Sequence, residues 1–552
     1  MKADIRIAQE CILEPISKIA EKAGIQEEHL IHYGSDKAKI NLNVLDETRK
    51  RGKLILVTSI NPTKAGEGKS TVSVGLIDGL SKIGEQVMGA LREPSLGPVF
   101  GIKGGATGGG YAQVVPMESI NLHFTGDMHA ITSVNNLISA SIDNHIYYGN
   151  QLDINPNKIL WKRCLDVNDR ALREISVAQG KKNGVTREDG FNITVASEIM
   201  AILCLSESLD DFELRVKRAI VAYSKAGKVI TVQQLGISGA LKLLMRDAIM
   251  PNLVQTLEKN PVLIHGGAFA NIAHGCNSVI ATKMALGLAN YVVTEAGFGV
   301  DLGAEKFVDI KCRESGLELD AVVIVVTIRA LKLHGGCEYN KLEEEDITSL
   351  IKGMDNLKKH IETVQQFNTP FVIGINRFSS DTEKELNYIL SWCNAVGYSA
   401  SLCEGWEKGG NGMVDLAEKI VKITEEKNQL NYIYEKDISI EEKILTIVKK
   451  VYGGESVHYT EKAKQQLIEF KKNGWDKVPI CMAKTAMSLS DDPKIKGRPE
   501  KFSITVNELH MSAGAGFIVA LTGKIMTMPG LPKHPAAEDM GMDSEGKAFG
   551  IF

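Results

Sequence analysis

Thr63-Lys64-Ala65-Gly66-Glu67-Gly68-Lys69-Ser70-Thr71, preceded by the apolar run Leu54-Ile55-Leu56-Val57, is the stretch that decides the fold. It reads as a strand, a glycine loop and the start of a helix, the layout of a phosphate cradle. Small residues let successive backbone N–H groups turn toward one anion, Lys69 adds a mobile positive charge, and Ser70 offers an oxygen to Mg²⁺ at the helix N-terminus. A nucleoside triphosphate is the leading ligand. The spacing is a variant, because Thr63 stands where the usual loop has its first glycine. The plain alternative is a glycine-rich turn with an exposed lysine. Against it stand the upstream strand and the helix-like Val72-Ser73-Val74-Gly75-Leu76 that follows. Glu67 would repel phosphates, so its side chain is expected to point outward or to set the shape of the loop.

Around this loop lie 552 residues, 44% hydrophobic and 24% charged, which describes a globular chain with room for about three or four domains. A formal net charge of −4 gives no global attraction to nucleic acid or to an anionic membrane, so neither is expected as a partner. Nine cysteines without a C-x-x-C pair argue against a disulfide framework and a zinc knuckle, and point to the cytoplasm. Met1-Lys2-Ala3-Asp4-Ile5-Arg6 is charged where a signal peptide is apolar, and no apolar run of about 18 residues occurs.

Apolar runs at 54–57, 87–91, 229–232, 262–264, 291–293, 321–327 and 371–375 alternate with helical patterns. This rhythm predicts an α/β fold, a P-loop NTPase-like and mostly parallel sheet with helices on both faces. We expect it to be built from 1–132 and 240–427. Two smaller α+β domains are expected beside it: an insertion of mixed α/β pattern over 133–239, and a C-terminal one over 428–552, where the charge density rises.

Several segments carry chemistry. The run 87–91 leads directly into Arg92-Glu93-Pro94-Ser95. Arg92 suits a carboxylate held by paired hydrogen bonds, and Glu93 suits Mg²⁺; a neighbouring ion pair that merely caps the strand is the simpler reading. Gly101 opens a stretch to Tyr111 with six glycines in eleven residues, either a linker or a backbone that approaches a ligand, with Lys103 as its anion contact. His123, Asp127 and His129 fall within seven residues; their spacing fits proton transfer or substrate positioning better than zinc. His265, His274 and His334 each sit beside glycine, and at least one is expected to touch ligand. Phe378 and Trp406 are candidates to sandwich a flat heterocycle, with ordinary core packing as the alternative.

Together these motifs resemble the formate–tetrahydrofolate ligases. The likeness runs along essentially the whole chain and rests on Ala65-Gly66-Glu67-Gly68-Lys69, Leu91-Arg92-Glu93-Pro94-Ser95, the stretch 101–111, Val325-Val326-Thr327-Ile328-Arg329-Ala330-Leu331-Lys332-Leu333-His334-Gly335-Gly336 and Pro529-Gly530-Leu531-Pro532-Lys533. The resemblance implies ATP-dependent joining of formate to the N10 amine of tetrahydrofolate through formyl phosphate. It assigns the β- and γ-phosphates to Lys69, Mg²⁺ to Ser70 and Glu93, the formyl end to Arg92, and a place near the formyl group to Asp127. Phe298, Phe378, Leu402 and Trp406 would line a slot for the pterin, or for adenine at another stage. Asp127 and His123 are its candidate proton acceptors. It further implies a homotetramer, activation by K⁺ or NH₄⁺, and tetrahydrofolate with or without a polyglutamate tail.

Four positions depart from the family pattern: Lys64 for Pro, Thr107 for Ala, Val326 for Ala, and Ser379 for the Pro after Phe378. The last removes a rigid wall beside the slot and bears on folate affinity. Lys64 also matches the extra loop lysine of dimeric switch ATPases of the partitioning and nitrogenase-iron type. That rival lacks the second glycine run and the C-terminal segment.

Overall fold

The computed structural model describes residues 2–47, 51–101, 107–523 and 525–551. Its centre is a parallel sheet of seven strands: β1 (Lys53–Ser59), β2 (Val87–Leu91), β3 (Pro261–Ile264), β4 (Tyr291–Gly299), β5 (Ala321–Val326), β6 (Phe371–Asn376) and β7 (Ala400–Cys403). Their order is β3-β2-β4-β1-β5-β6-β7. The β3 edge continues into antiparallel strands Asn252–Thr256, Ala38–Ile40 and Leu30–His32.

The strands read as unbroken apolar runs because both faces are buried. In β1, Leu54 and Leu56 enter one core cluster while Ile55 and Val57 enter another. The second face is covered by helix α1 (Lys69–Lys82) through Val72, Val74, Leu76 and Leu80, and by Val414–Ile423 through Leu416 and Ile420. The first is covered by Val279–Leu288 and Ile347–Gln366, through residues such as Met284, Met354 and Leu357. The expected mixed α/β architecture, a large and mostly parallel sheet between helices, is what the chain forms.

The run 229–232 contributes a strand elsewhere: Val229–Thr231 pairs with Ile220–Ser224 in a separate three-stranded sheet with Ile154–Ile159. Asn252–Thr256 and Ala400–Cys403, absent from the apolar runs, are sheet strands. Their polar residues Asn252, Gln255, Thr256 and Ser401 are buried and hydrogen-bonded, so apolar content does not reveal them. Toward the C-terminus a four-stranded sheet (Ser456–Tyr459, Ser503–Ser512, Phe517–Thr522, Ile480–Ala483) packs with helices Ile440–Ile447 and Glu461–Lys472. Its Ile480, Ile504 and Ile518 belong to the same apolar cluster as β1 and β5. Among the described residues no helix is long and apolar enough to cross a membrane.

Candidate active site

The chain leaves β1 for β2, passes to β3, then returns to place β4 between β2 and β1 before crossing to β5. The loops at the C-terminal ends of β1, β2 and β4 therefore converge where the order reverses, the usual ligand position of an open α/β sheet.

The loop after β1 is held from several sides. Gly66 and Gly68 lie in the left-handed region, φ 83° and 68°, and Gly68 caps α1. A Cβ at Gly68 would stand 2.3 Å from Nδ2 of Asn376, which donates 3.0 Å to the Glu67 carbonyl from the end of β6. Glu67 turns inward. Its carboxylate accepts the Thr63 N–H at 2.6 Å and the Thr327 hydroxyl, so it sets the shape of the loop, one of the two expected roles. Arg329 donates 2.6 Å to the Gly66 carbonyl. Lys64 and Ala65 are exposed; the Lys64 ammonium lies 5.9 Å from the Tyr339 ring centroid. Lys69 opens α1 half-buried, and the Thr63 hydroxyl is buried with no partner among the described residues, a donor position a phosphate oxygen would satisfy.

Behind the loop, Asn61 joins the sheet to the C-terminal segment. Its Nδ2 donates to Asp301 at 3.2 Å, its carbonyl accepts from His334 Nε2 at 3.0 Å, and Asp301 pairs with Lys484 at 2.7 Å. Burial pushes the His334 imidazole down to about 3, and its Nδ1 accepts the Gly497 N–H. This histidine braces the loop from within the core.

The Ser70 hydroxyl donates 3.0 Å to Oε2 of Glu295, whose Oε1 accepts from Nε and Nη2 of Arg92 at 3.3 and 3.2 Å. Arg92 follows β2, Glu295 sits on β4 and Ser70 follows β1, so three adjacent strands bring them together. The ion pair considered between Arg92 and its neighbour Glu93 is replaced by one between Arg92 and Glu295. Glu295 stands in the strand-ending stretch Thr294-Glu295-Ala296-Gly297-Phe298-Gly299, a segment of note in the sequence in which this carboxylate carried no assigned role.

Glu93 faces elsewhere. It is buried, with Oε2 lacking a partner among the described residues, and its carboxyl is pushed well above the usual range by desolvation and then by the negative charge of Asp127, against the pull of Lys39. Asp127 is itself sealed: its oxygens accept from Lys39 Nζ at 2.8 and 3.1 Å and from Asn252 Nδ2 at 2.8 Å. His123 is exposed. His265 donates to the Ala248 carbonyl and accepts from Ser278, while His274 is buried with neither ring nitrogen partnered among the described residues. Hard oxygen donors suited to Mg²⁺ are thus present as the Ser70 oxygen and the orphan Glu93 oxygen. Among the described residues no three His, Cys, Asp or Glu side chains form a cage, so a cation here would depend on phosphate and water for most of its ligands.

The aromatic residues stand on rigid supports. Phe298 lies where the β4–β1 register shifts between Glu295 and Gly299, at φ 61°, a strained conformation for so bulky a residue. Phe378 is half-buried, its ring covered by the Arg329 guanidinium at 3.8 Å, and Leu402 is half-buried in β7. Trp406 accepts the Tyr111 N–H at its carbonyl, 2.8 Å, and its indole lies against Gly109, where a Cβ would approach within 3.3 Å. A Cβ on Gly110 would come within 2.0 Å of the Trp406 carbonyl. Glycines 109 and 110 thus make room for Trp406 and, at Gly109, for the Asp4 carboxylate, 2.8 Å from where a Cβ would stand. Lys103 lies outside the described residues.

Compared with known families, the sequence matches the one described as formate–tetrahydrofolate ligase over residues 2–552.

Proposed function

The chain belongs to the formate–tetrahydrofolate ligase family, ATP-dependent ligases acting on formate and tetrahydrofolate, and from that premise we propose a mechanism through formyl phosphate. The observation that carries it is the convergence of the 63–70 loop with Arg92 through Glu295, a P-loop-like cradle beside a carboxylate-binding cation.

Formate is a poor acyl donor because its departing oxygen is a bad leaving group. In the proposed sequence a formate oxygen attacks the γ-phosphorus and ADP departs, leaving formyl phosphate. The N10 amine then attacks the formyl carbon, phosphate leaves, and the amine loses its proton. The loop amides and Lys69 hold and neutralise the phosphates, and Arg92 orients the carboxylate through its fork of donors. Mg²⁺, held through Ser70 and Glu93, would offset charge on the transferring phosphoryl group. Phe378, Trp406, Phe298 and Leu402 would receive the flat ring; for the amine proton, accessibility favours His123, since both Asp127 oxygens are engaged. By resemblance the working enzyme is a cytoplasmic homotetramer activated by K⁺ or NH₄⁺.

The test incubates the purified protein with ATP, Mg²⁺, formate and tetrahydrofolate, then acidifies to reveal 5,10-methenyltetrahydrofolate by its absorbance. Formate-dependent product is expected. ADP release without it would overturn the ligase mechanism and revive the switch-ATPase reading of Lys64.

A further inference from the structure

Glu295 lies on the central strand β4, 1% exposed, and bridges two groups that arrive from opposite neighbours. One oxygen takes the Ser70 hydroxyl; the other takes the Nε and Nη2 side of Arg92. A guanidinium has five N–H donors in a fixed plane, so gripping its Nε–Nη2 side decides where the Nη1–Nη2 end points. Nη1 makes no hydrogen bond among the described residues, and it lies 3.0 Å from where a Cβ on Gly297 would be. Arg92 keeps 22% of its side chain exposed, while its partner is sealed.

We propose that Glu295 is a positioning residue for the carboxylate substrate: it fixes Arg92 by one side so that the open end of the guanidinium receives formate, at a set distance from the phosphate loop. The proposal rests on the reading of Arg92 as the formate-binding residue. A single carboxylate spanning Ser70 and Arg92 ties the nucleotide half of the site to the formate half, so the acceptor oxygen and the γ-phosphate meet in register. Gly297 completes the device, since a larger residue would intrude on the same guanidinium and on Ala270, whose Cβ would be 2.5 Å away.

The test compares the wild type with Glu295→Gln and Glu295→Asp in steady-state assays varying formate, ATP and tetrahydrofolate in turn, with ADP binding measured by calorimetry. Glu295→Gln should raise the formate KM roughly tenfold, the scale of one lost charge-assisted hydrogen bond, with ADP affinity and folate KM within about twofold. Glu295→Asp, which keeps the charge with a shorter reach, should fall between. An unchanged formate KM, or three KM values rising together, overturns the proposal. Should the Glu295 variants fail to fold, Gly297→Ala reads the same device from the other side. It should raise the formate KM selectively, and a wild-type value there overturns the proposal equally. A wild type that makes no formyltetrahydrofolate would instead defeat the functional reading on which the proposal stands.

Discussion

Two ion pairs lie along the same sheet and differ in one respect. Lys39–Asp127 is sealed, each side chain 1% exposed, with Asn252 and the Met250 carbonyl completing its hydrogen bonds. Arg92–Glu295 buries its carboxylate equally but leaves the guanidinium partly open, with donors to spare. Both sequester charge, at a desolvation cost that only good geometry offsets. In the sealed pair every strong donor is spent within the protein, and what remains is an electrostatic influence on Glu93 and His265. The open pair retains an unsatisfied end, which is what a carboxylate substrate needs. Pairing alone therefore does not separate support from chemistry; the residual hydrogen-bonding capacity does.

The largest effect should come from breaking the sealed pair. Lys39→Met strands the Asp127 charge and should cost about 3–5 kcal/mol of stability, read from denaturant midpoints. Ligation per folded molecule should change far less. If instead the variant stays stable and ligation vanishes, the sealed pair belongs to the chemistry and the contrast collapses. Arg92→Ala is the converse. Ligation should fall by about 10²–10³-fold, on the order of 3–4 kcal/mol in the barrier, while ADP binding survives. Equal loss of both would mean that Arg92 holds the loop rather than the substrate.

The contrast also shows what one dimension of sequence can carry. The strand β1, the loop at 63–68 and helix α1 are contiguous, so residue order alone gives them, and Arg92 is placed by the strand before it. Glu295 is separated from Arg92 by 203 residues and from Ser70 by 225. Its role depends on β4 slotting between β2 and β1, an order that no local pattern encodes. The partner of Asp127, Lys39, lies 88 residues away and is invisible beside it in the sequence. The glycine run signalled close approach, and at Gly109 and Gly110 the approaching residue is Trp406, for which the sequence left ring stacking and core packing both open. For Glu67 the sequence left two options, pointing outward or shaping the loop, and its bonds to Thr63 and Thr327 select the second.

The sealed side of the molecule extends to imidazoles, and these set an acid limit. Burial pushes His265 and His360 down to about 4, and His274 and His334 to about 3. A pKa depressed on folding means the unfolded chain binds protons first. The stability tied to these groups is complete above about 6.5 and drains away as pH falls toward the folded values. At pH 5 the penalty is about 2 kcal/mol per imidazole held neutral. His274 isolates the effect, since among the described residues both its nitrogens lack partners and its ring packs edge-on to Phe517 at 6.3 Å. His274→Leu should shrink the loss of stability between pH 7.5 and pH 5 by about that amount, measured from paired thermal midpoints. An unchanged pH slope would show that the His274 imidazole titrates alike in the folded and unfolded protein.

The smallest effect sharpens the comparison on the open side. Trp406 is half-buried, its carbonyl engaged by Tyr111 and its indole backed by Gly109, so the ring is held in place before any ligand arrives. Phe378 is braced likewise by Arg329, which also grips the Gly66 carbonyl. A pre-positioned ring loses little entropy when a flat heterocycle stacks on it, and such stacking contributes about 0.5–1.5 kcal/mol. Trp406→Ala should therefore raise the tetrahydrofolate KM about three- to tenfold and leave the formate KM near its original value. Both rings follow strands at the C-terminal end of the sheet, as Arg92 does, Phe378 after β6 and Trp406 after β7, and each stays half-buried. The competing outcome is specific: a drop in stability with unchanged folate kinetics would make Trp406 the anchor of the glycine turn at 108–111. It would then stand with Lys39 and Asp127 as support rather than with Arg92.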